Sequence, residues 1–343
     1  GNIGIRAIQT NVDARAFSSA IISDPTQSIP DIVLTDVPST ISSDRWDFTP
    51  SLNLNFNFKN TVNYRISVVK TVSRPALTDL APRNVISAIN PNSPAFGTEN
   101  GTVAVSNPDL KPFSTWQFDN TVEWYNKFGG AIVVSAFYKE ISDYIVNRTS
   151  FDSNLTEAGD LGFEGLPTGL DTGQLYNIQQ PENFTGASLF GFELGFTQPL
   201  SVFSKSLNGF GMQANYTFVT SSFDETLSAD ENNIPGSSKH NFNSVLYYEN
   251  SKFGVRLAYT LRSDYLRNIG GLADARANST FTDGVDQLNF RANYNIFENL
   301  QLSASAENIM GAGRRDYLLN DPSVFNRVTG KGSVWTVGLR YGL

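Results

Sequence analysis

FGVRLAYTL, residues 253–261, decides the fold. Phe253, Val255, Leu257, Tyr259 and Leu261 fall on one side of an extended strand, and Gly254, Arg256, Ala258 and Thr260 fall on the other. QLNFRANY (287–294) repeats the rule, with Leu288, Phe290, Ala292 and Tyr294 opposed to Gln287, Asn289, Arg291 and Asn293. LQLSASAEN (300–308) repeats it again, setting Leu300, Leu302, Ala304 and Ala306 against Gln301, Ser303, Ser305 and Glu307. One face suits hydrocarbon and the other suits water. A two-residue period sustained at this length predicts strands of a transmembrane β-barrel.

Extended along the chain, the same template predicts strands at 2–10, 44–58, 61–73, 113–126, 130–146, 185–199, 208–221, 239–250, 252–265, 285–297, 299–310 and 332–342. Their links alternate. Short ones such as KNT, NKFGG and ENSK run to about nine residues, and long ones run from roughly seventeen to forty. In bacterial barrels the short turns face the periplasm and the long loops face outside. The fold class is therefore all-β, an antiparallel transmembrane barrel wall of about twelve strands, read as one unit over 1–343 because no compositional break divides it.

Composition agrees. Apolar residues make up 40% of the chain and mean hydropathy is −0.23, because only alternate strand residues need meet lipid and no apolar window long enough for a helical span arises. Aromatic residues gather where strands meet short turns, at Phe56, Phe58, Tyr64, Trp124, Phe203, Phe210, Tyr248, Phe253, Tyr294 and Phe297, as a girdle at the lipid boundary requires. A plain strand preference of aromatic residues is the alternative explanation. The net charge of −8 argues against nucleic acid as a partner. The absence of cysteine removes disulfides, thiolate metal sites and cysteine nucleophiles. An acidic run with Asp224, Glu225, Asp230 and Glu231 reads as a solvated loop before it reads as a calcium site.

Several segments resemble the C-terminal half of TonB-dependent outer-membrane receptors, in that family's order: GNIGIR at the start, VVKTVSRPALTDLAP, NPDLKPFSTWQFDNTVEWY, FYKEISDYIV, LFGFELGFTQPL, LNGFGMQANYTFV and IPGSSKHNFN. The most specific are Ser73-Arg74-Pro75, the run Asn107 to Pro112, and the run Phe137 to Val146. The resemblance implies a 22-stranded barrel with an N-terminal plug, placed in the outer membrane of a Gram-negative bacterium. It also implies nutrient uptake powered by the TonB–ExbB–ExbD complex, which acts on a TonB box ahead of the plug. The chain departs from that pattern by its twelve strands, by the absence of plug and energy-coupling segment, and by an ending Tyr341-Gly342-Leu343 that lacks the usual terminal aromatic residue. It is therefore expected to be the C-terminal portion of such a receptor. With no signal peptide, it is read as a mature product or a piece of something longer.

Inner-face charges are expected at Arg6, Arg65, Glu123, Lys139, Glu193, Arg256, Arg262, Arg291, Glu307 and Arg340, to bind a plug or to pair with one another. Ligand contacts are expected in the long loops, from Trp46, Arg83, Phe96, Phe151, Phe163, Tyr265, Arg314, Arg315, Tyr317 and Phe325, which suit stacking on sugar rings or on an aromatic chelate. The subfamily resembled imports oligosaccharides in proteobacteria, which favours a carbohydrate over a siderophore chelate and admits an accessory surface lipoprotein as partner. No enzyme, cofactor or metal centre is expected. The sole histidine, His240, lies too close in sequence to Ser237 and Ser238 for a hydrolase triad. A stand-alone twelve-stranded porin and an extracellular adhesive β-protein are the competing readings.

Overall fold

A computed structural model describes residues 1–23, 31–34, 39–82, 84–89, 98–154, 174–184, 186–223, 233–269, 279–318, 321–330 and 332–342. In chain order the first strands are β1 (Asn2–Ala16), β2 (Ser19–Ser23), β3 (Asp31–Leu34), β4 (Ser39–Phe58), β5 (Val62–Ser73), β6 (Asn84–Ile89), β7 (Gly101–Val105), β8 (Phe113–Tyr125), β9 (Ala131–Ser142), β10 (Ile145–Ser153) and β11 (Tyr176–Asn183). There follow β12 (Ala187–Pro199), β13 (Phe210–Phe223), β14 (His240–Glu249), β15 (Phe253–Arg262), β16 (Tyr265–Asn268), β17 (Thr280–Thr282), β18 (Val285–Phe297), β19 (Leu300–Glu307), β20 (Gly313–Leu318), β21 (Asp321–Gly330) and β22 (Val334–Tyr341). Twelve of these form one antiparallel sheet in the order β1-β4-β5-β8-β9-β12-β13-β14-β15-β18-β19-β22. Each of the twelve wall strands expected from sequence is present. Among the described residues β1 and β22 do not pair with each other, so the wall is an open arc.

Register explains the two faces. Leu257 stands opposite Leu246 on β14 and Phe290 on β18, and Leu302 stands opposite Tyr294 on β18 and Leu339 on β22, so apolar side chains run in unbroken rows. These rows are open to the surroundings: Phe190, Leu194, Leu257, Leu302 and Val337 are all exposed. A water-soluble surface seldom carries an apolar face of that extent, and a lipid-facing wall requires it. The aromatic residues at the short-turn end meet across strands, Phe210 tilted against Tyr248 at 4.6 Å and Phe56 stacked on Tyr64 at 6.1 Å between ring centroids.

The short turns are built by local chemistry. Within the three-residue link between the paired Phe58 and Val62, Lys59 and Asn60 both take positive φ, the Thr61 amide donates to the Phe58 carbonyl at 3.2 Å, and the Asn57 side chain accepts the Asn60 amide at 3.1 Å. On the polar face, Gly191 lets the Phe137 ring lie against the wall where a Cβ would collide with it and with the Phe218 carbonyl.

Three boundaries differ from the sequence expectation by more than three residues. β1 runs to Ala16 and β4 begins at Ser39, pairing Ala16 with Ser39. Their outer ends carry residues such as Asn11, Asp13, Ser42 and Ser43, so the apolar alternation fades while the backbone ladder continues beyond lipid. The expected strand 130–146 is two strands. It breaks at Asp143, where φ is 58°, and Asn183 pins the corner by donating to the Asp143 carbonyl at 3.0 Å.

Beyond that corner two smaller sheets, formed by the long links, stand at the loop end of the wall. One is six-stranded, β10-β11-β7-β6-β2-β3, with parallel pairs β11-β7 and β2-β6. Its core contains Ile86, Val103, Tyr176 and Ile178, the aliphatic members each contributing about 1.5–3 kcal/mol on burial. The other is four-stranded, β16-β17-β20-β21.

Candidate functional site at the loop rim

The four-stranded sheet has two unlike faces. Leu266, Phe281 and Tyr317 pair in one row and are buried together, with the Phe281 and Tyr317 rings stacked 5.6 Å apart. The adjacent row, Tyr265, Thr282, Asp316 and Arg327, points the other way. Two irregularities tune it. A bulge between Leu266 and Asn268 isolates Arg267, and a second bulge between Tyr317 and Asp316 lets Phe325 pair with Tyr317 while Arg327 pairs with Asp316. Bulges re-aim side chains in this way at sheet rims.

The polar row lines a cavity of about 420 Å³ shared with Arg262, Arg314 and Thr329. Asp316 organises it. The carboxylate accepts from Thr282 Oγ1 at 2.7 Å, from Arg267 at 2.7 Å and from Arg314 Nε at 3.0 Å, and its side chain is only 3% exposed. Burial alone would raise its pKa; the hydrogen bonds from Thr282 and Arg314 and the charges of Arg314 and Arg267 outweigh burial and hold it below the usual carboxylate value. Arg314 is shifted upward by the same bond. Arg262 lies 3.9 Å from the centre of the Tyr265 ring, donating at 2.6 Å both to Ser238 Oγ and to the Gly236 carbonyl.

Of the ligand residues expected from sequence, Tyr265 and Arg314 meet in this cavity. Arg315, next in sequence, points to the opposite face and pairs with Asp283, which holds its guanidinium above the ordinary value. Tyr317 is buried on that face and Phe325 is exposed opposite it. Trp46 stands on β4 in the outward row of Phe48, Leu52 and Leu54, and Phe151 lies on β10 of the six-stranded sheet. Arg83, Phe96, Phe163 and the acidic run at 224–231 lie outside the described residues. Sequence reasoning missed Arg267, Thr282, Asp316 and Arg327 and assigned Arg262 to the inner face alone.

Arg6, Arg65, Glu123, Lys139, Glu193, Arg256, Arg262, Arg291, Glu307 and Arg340 all stand on the polar face of the wall, away from the apolar rows. Some pair: Arg65 meets Glu123 at 3.2 Å and Arg256 meets Glu249 at 3.7 Å. Arg256 also stands directly opposite Arg291. The imidazole of His240 is bonded to Tyr216 Oη at 2.7 Å, while the Ser238 hydroxyl is engaged by Arg262.

These features define a membrane-spanning antiparallel wall with a polar interior face and a sculpted outer rim. Residues 2–309 match the family described as TonB dependent receptor-like, beta-barrel, and the chain belongs to that family of Gram-negative outer-membrane proteins. No curated protein sequence matches it. Among solved structures it is similar to a ferric enterobactin receptor mutant (PfeA) from Pseudomonas aeruginosa, at 14% identity and a TM-score of 0.61, over 91% of this chain and 44% of that one. It is similar to the copper transporter OprC at 14% identity and 0.63, over 99% and 44%. The siderophore receptor PirA from Acinetobacter baumannii gives 14% and 0.61, over 98% and 46%. The chain thus spans about half the length of the receptors it resembles, and at these identities the likeness concerns the fold.

Proposed function

We propose that this chain is the wall of a receptor that captures a scarce nutrient at its outer rim and admits it by energy-coupled uptake. The carrying observation is the Tyr265–Arg314 cavity, formed from loop strands above a wall whose interior face is polar. In this reading further strands complete the barrel between β1 and β22, a plug occupies the polar face, and the TonB–ExbB–ExbD complex acts on the plug. The nutrient is an oligosaccharide, with Tyr265 offering a ring for stacking on a sugar, and an accessory surface lipoprotein delivers it. A ferric chelate is the second reading, favoured by the siderophore receptors among the structural matches.

Uptake of radiolabelled oligosaccharide by cells with and without the gene tests the proposal. Gene-dependent uptake that collapses when the proton gradient is dissipated supports it. Uptake that survives dissipation, with steady conductance in planar bilayers, assigns the wall to a passive pore.

A further inference from the structure

Four arginines, Arg262, Arg267, Arg314 and Arg327, line the rim cavity in a chain whose net charge is −8. Two aspartates line it with them, and both are committed. Asp316 is engaged by Arg267, Arg314 and Thr282, and Asp283 pairs with Arg315 from the other face. Among the described residues no carboxylate pairs with Arg262 or Arg327. The cavity therefore carries surplus positive charge.

The arrangement is also preorganised. Arg314 meets Asp316 through Nε, and Arg267 through a single terminal nitrogen, so donors on both guanidiniums remain for another acceptor. Arg262 is held by Ser238, Gly236 and the Tyr265 ring, with its second terminal nitrogen left to donate. Planar guanidinium forks fixed in this manner match carboxylate and sulfate oxygens in bidentate geometry. A neutral sugar offers them hydroxyl groups, which leave the charge uncompensated.

We propose that this cavity recognises an acidic group on the ligand, so that the imported oligosaccharide is one bearing carboxylate or sulfate groups. The saccharide half of that statement rests on the function proposed above; the acidic-group half rests on the arginines. Asp316 acts as a positioning residue that holds two of them.

The test is calorimetric titration of the full-length receptor in detergent with three probes: tetragalacturonate, neutral maltotetraose and a ferric tris-catecholate. The expected result is tetragalacturonate binding that weakens about tenfold or more in the R262Q/R327Q double variant and falls steeply as salt rises, with maltotetraose silent. R327Q alone, on an exposed strand, serves as the variant least disturbing to folding and is expected to lose part of the affinity. Maltotetraose binding equally well in wild type and double variant overturns the acidic-group inference and leaves the saccharide reading standing. Binding of the ferric tris-catecholate alone, lost in the double variant, supports the acidic-group inference and overturns the saccharide reading. Silence of both anionic probes overturns the inference.

Discussion

Arg267 meets Asp316 at 2.7 Å across an intervening strand, reaching from the β16 bulge over β17 to β20. Thr282, on the strand between them, donates to the same carboxylate at 2.7 Å. One aspartate thus ties three of the four rim strands. Replacing it as Asp316→Asn keeps the shape, removes the charge and turns one acceptor oxygen into an amide donor, so the two arginines lose the carboxylate they share. The cost is expected to be about 1–3 kcal/mol, confined to the rim. Amide hydrogen exchange should quicken in β16, β17 and β20 while the wall strands stay protected. Uniform protection would contradict the role assigned to Asp316.

Acid should loosen the same sheet. The folded pKa of Asp316 lies below its unfolded value, so its contribution is fully present above the unfolded pKa and is lost as pH falls through the folded one. Asp321, held low by the Ser323 hydroxyl and amide, acts in the same direction. Protease cleavage at the rim should be flat from neutral pH down to the ordinary carboxylate range and rise below it. Asp316→Asn should remove most of that acid sensitivity.

At the wall, Gly191→Ala places a methyl against the Phe137 ring and the Phe218 carbonyl. The carbonyl belongs to the ladder and cannot turn aside, so a loss of about 1–3 kcal/mol is expected. The readout is a lower midpoint for loss of the heat-modifiable folded band on gels.

Leu257→Arg puts a charge in the outward apolar row and should cost about 2–4 kcal/mol near the bilayer midplane. Ala258→Arg, one residue on, faces the polar side and should cost well under half as much. Urea unfolding in liposomes compares them, and equal costs would contradict the assignment of faces.

The wall was legible because its physics is local. A strand between lipid and water repeats every second residue, and FGVRLAYTL, QLNFRANY and LQLSASAEN each carry enough repeats to be read alone. The rim was not, because β16 and β17 are four and three residues long and the six-stranded sheet joins distant segments in parallel. Arg314 and Arg315 show the same limit at the site. Sequence marks both as loop cations, yet strand alternation sends one into the cavity and the other to Asp283. Arg267 required a bulge, and nothing in SDYLRN announces one.

The central claim, a wall with lipid on one face, is tested most directly by labelling. The chain contains no cysteine, so single cysteines at positions 255 to 260 of the full-length receptor in liposomes can carry a nitroxide whose collisions with oxygen report lipid and whose collisions with a water-soluble nickel chelate report water. The account predicts strict alternation, with Val255, Leu257 and Tyr259 in lipid and Arg256, Ala258 and Thr260 shielded from it. Equal access to the nickel chelate at all six positions, or a lipid signal at Arg256 and Thr260, would contradict it.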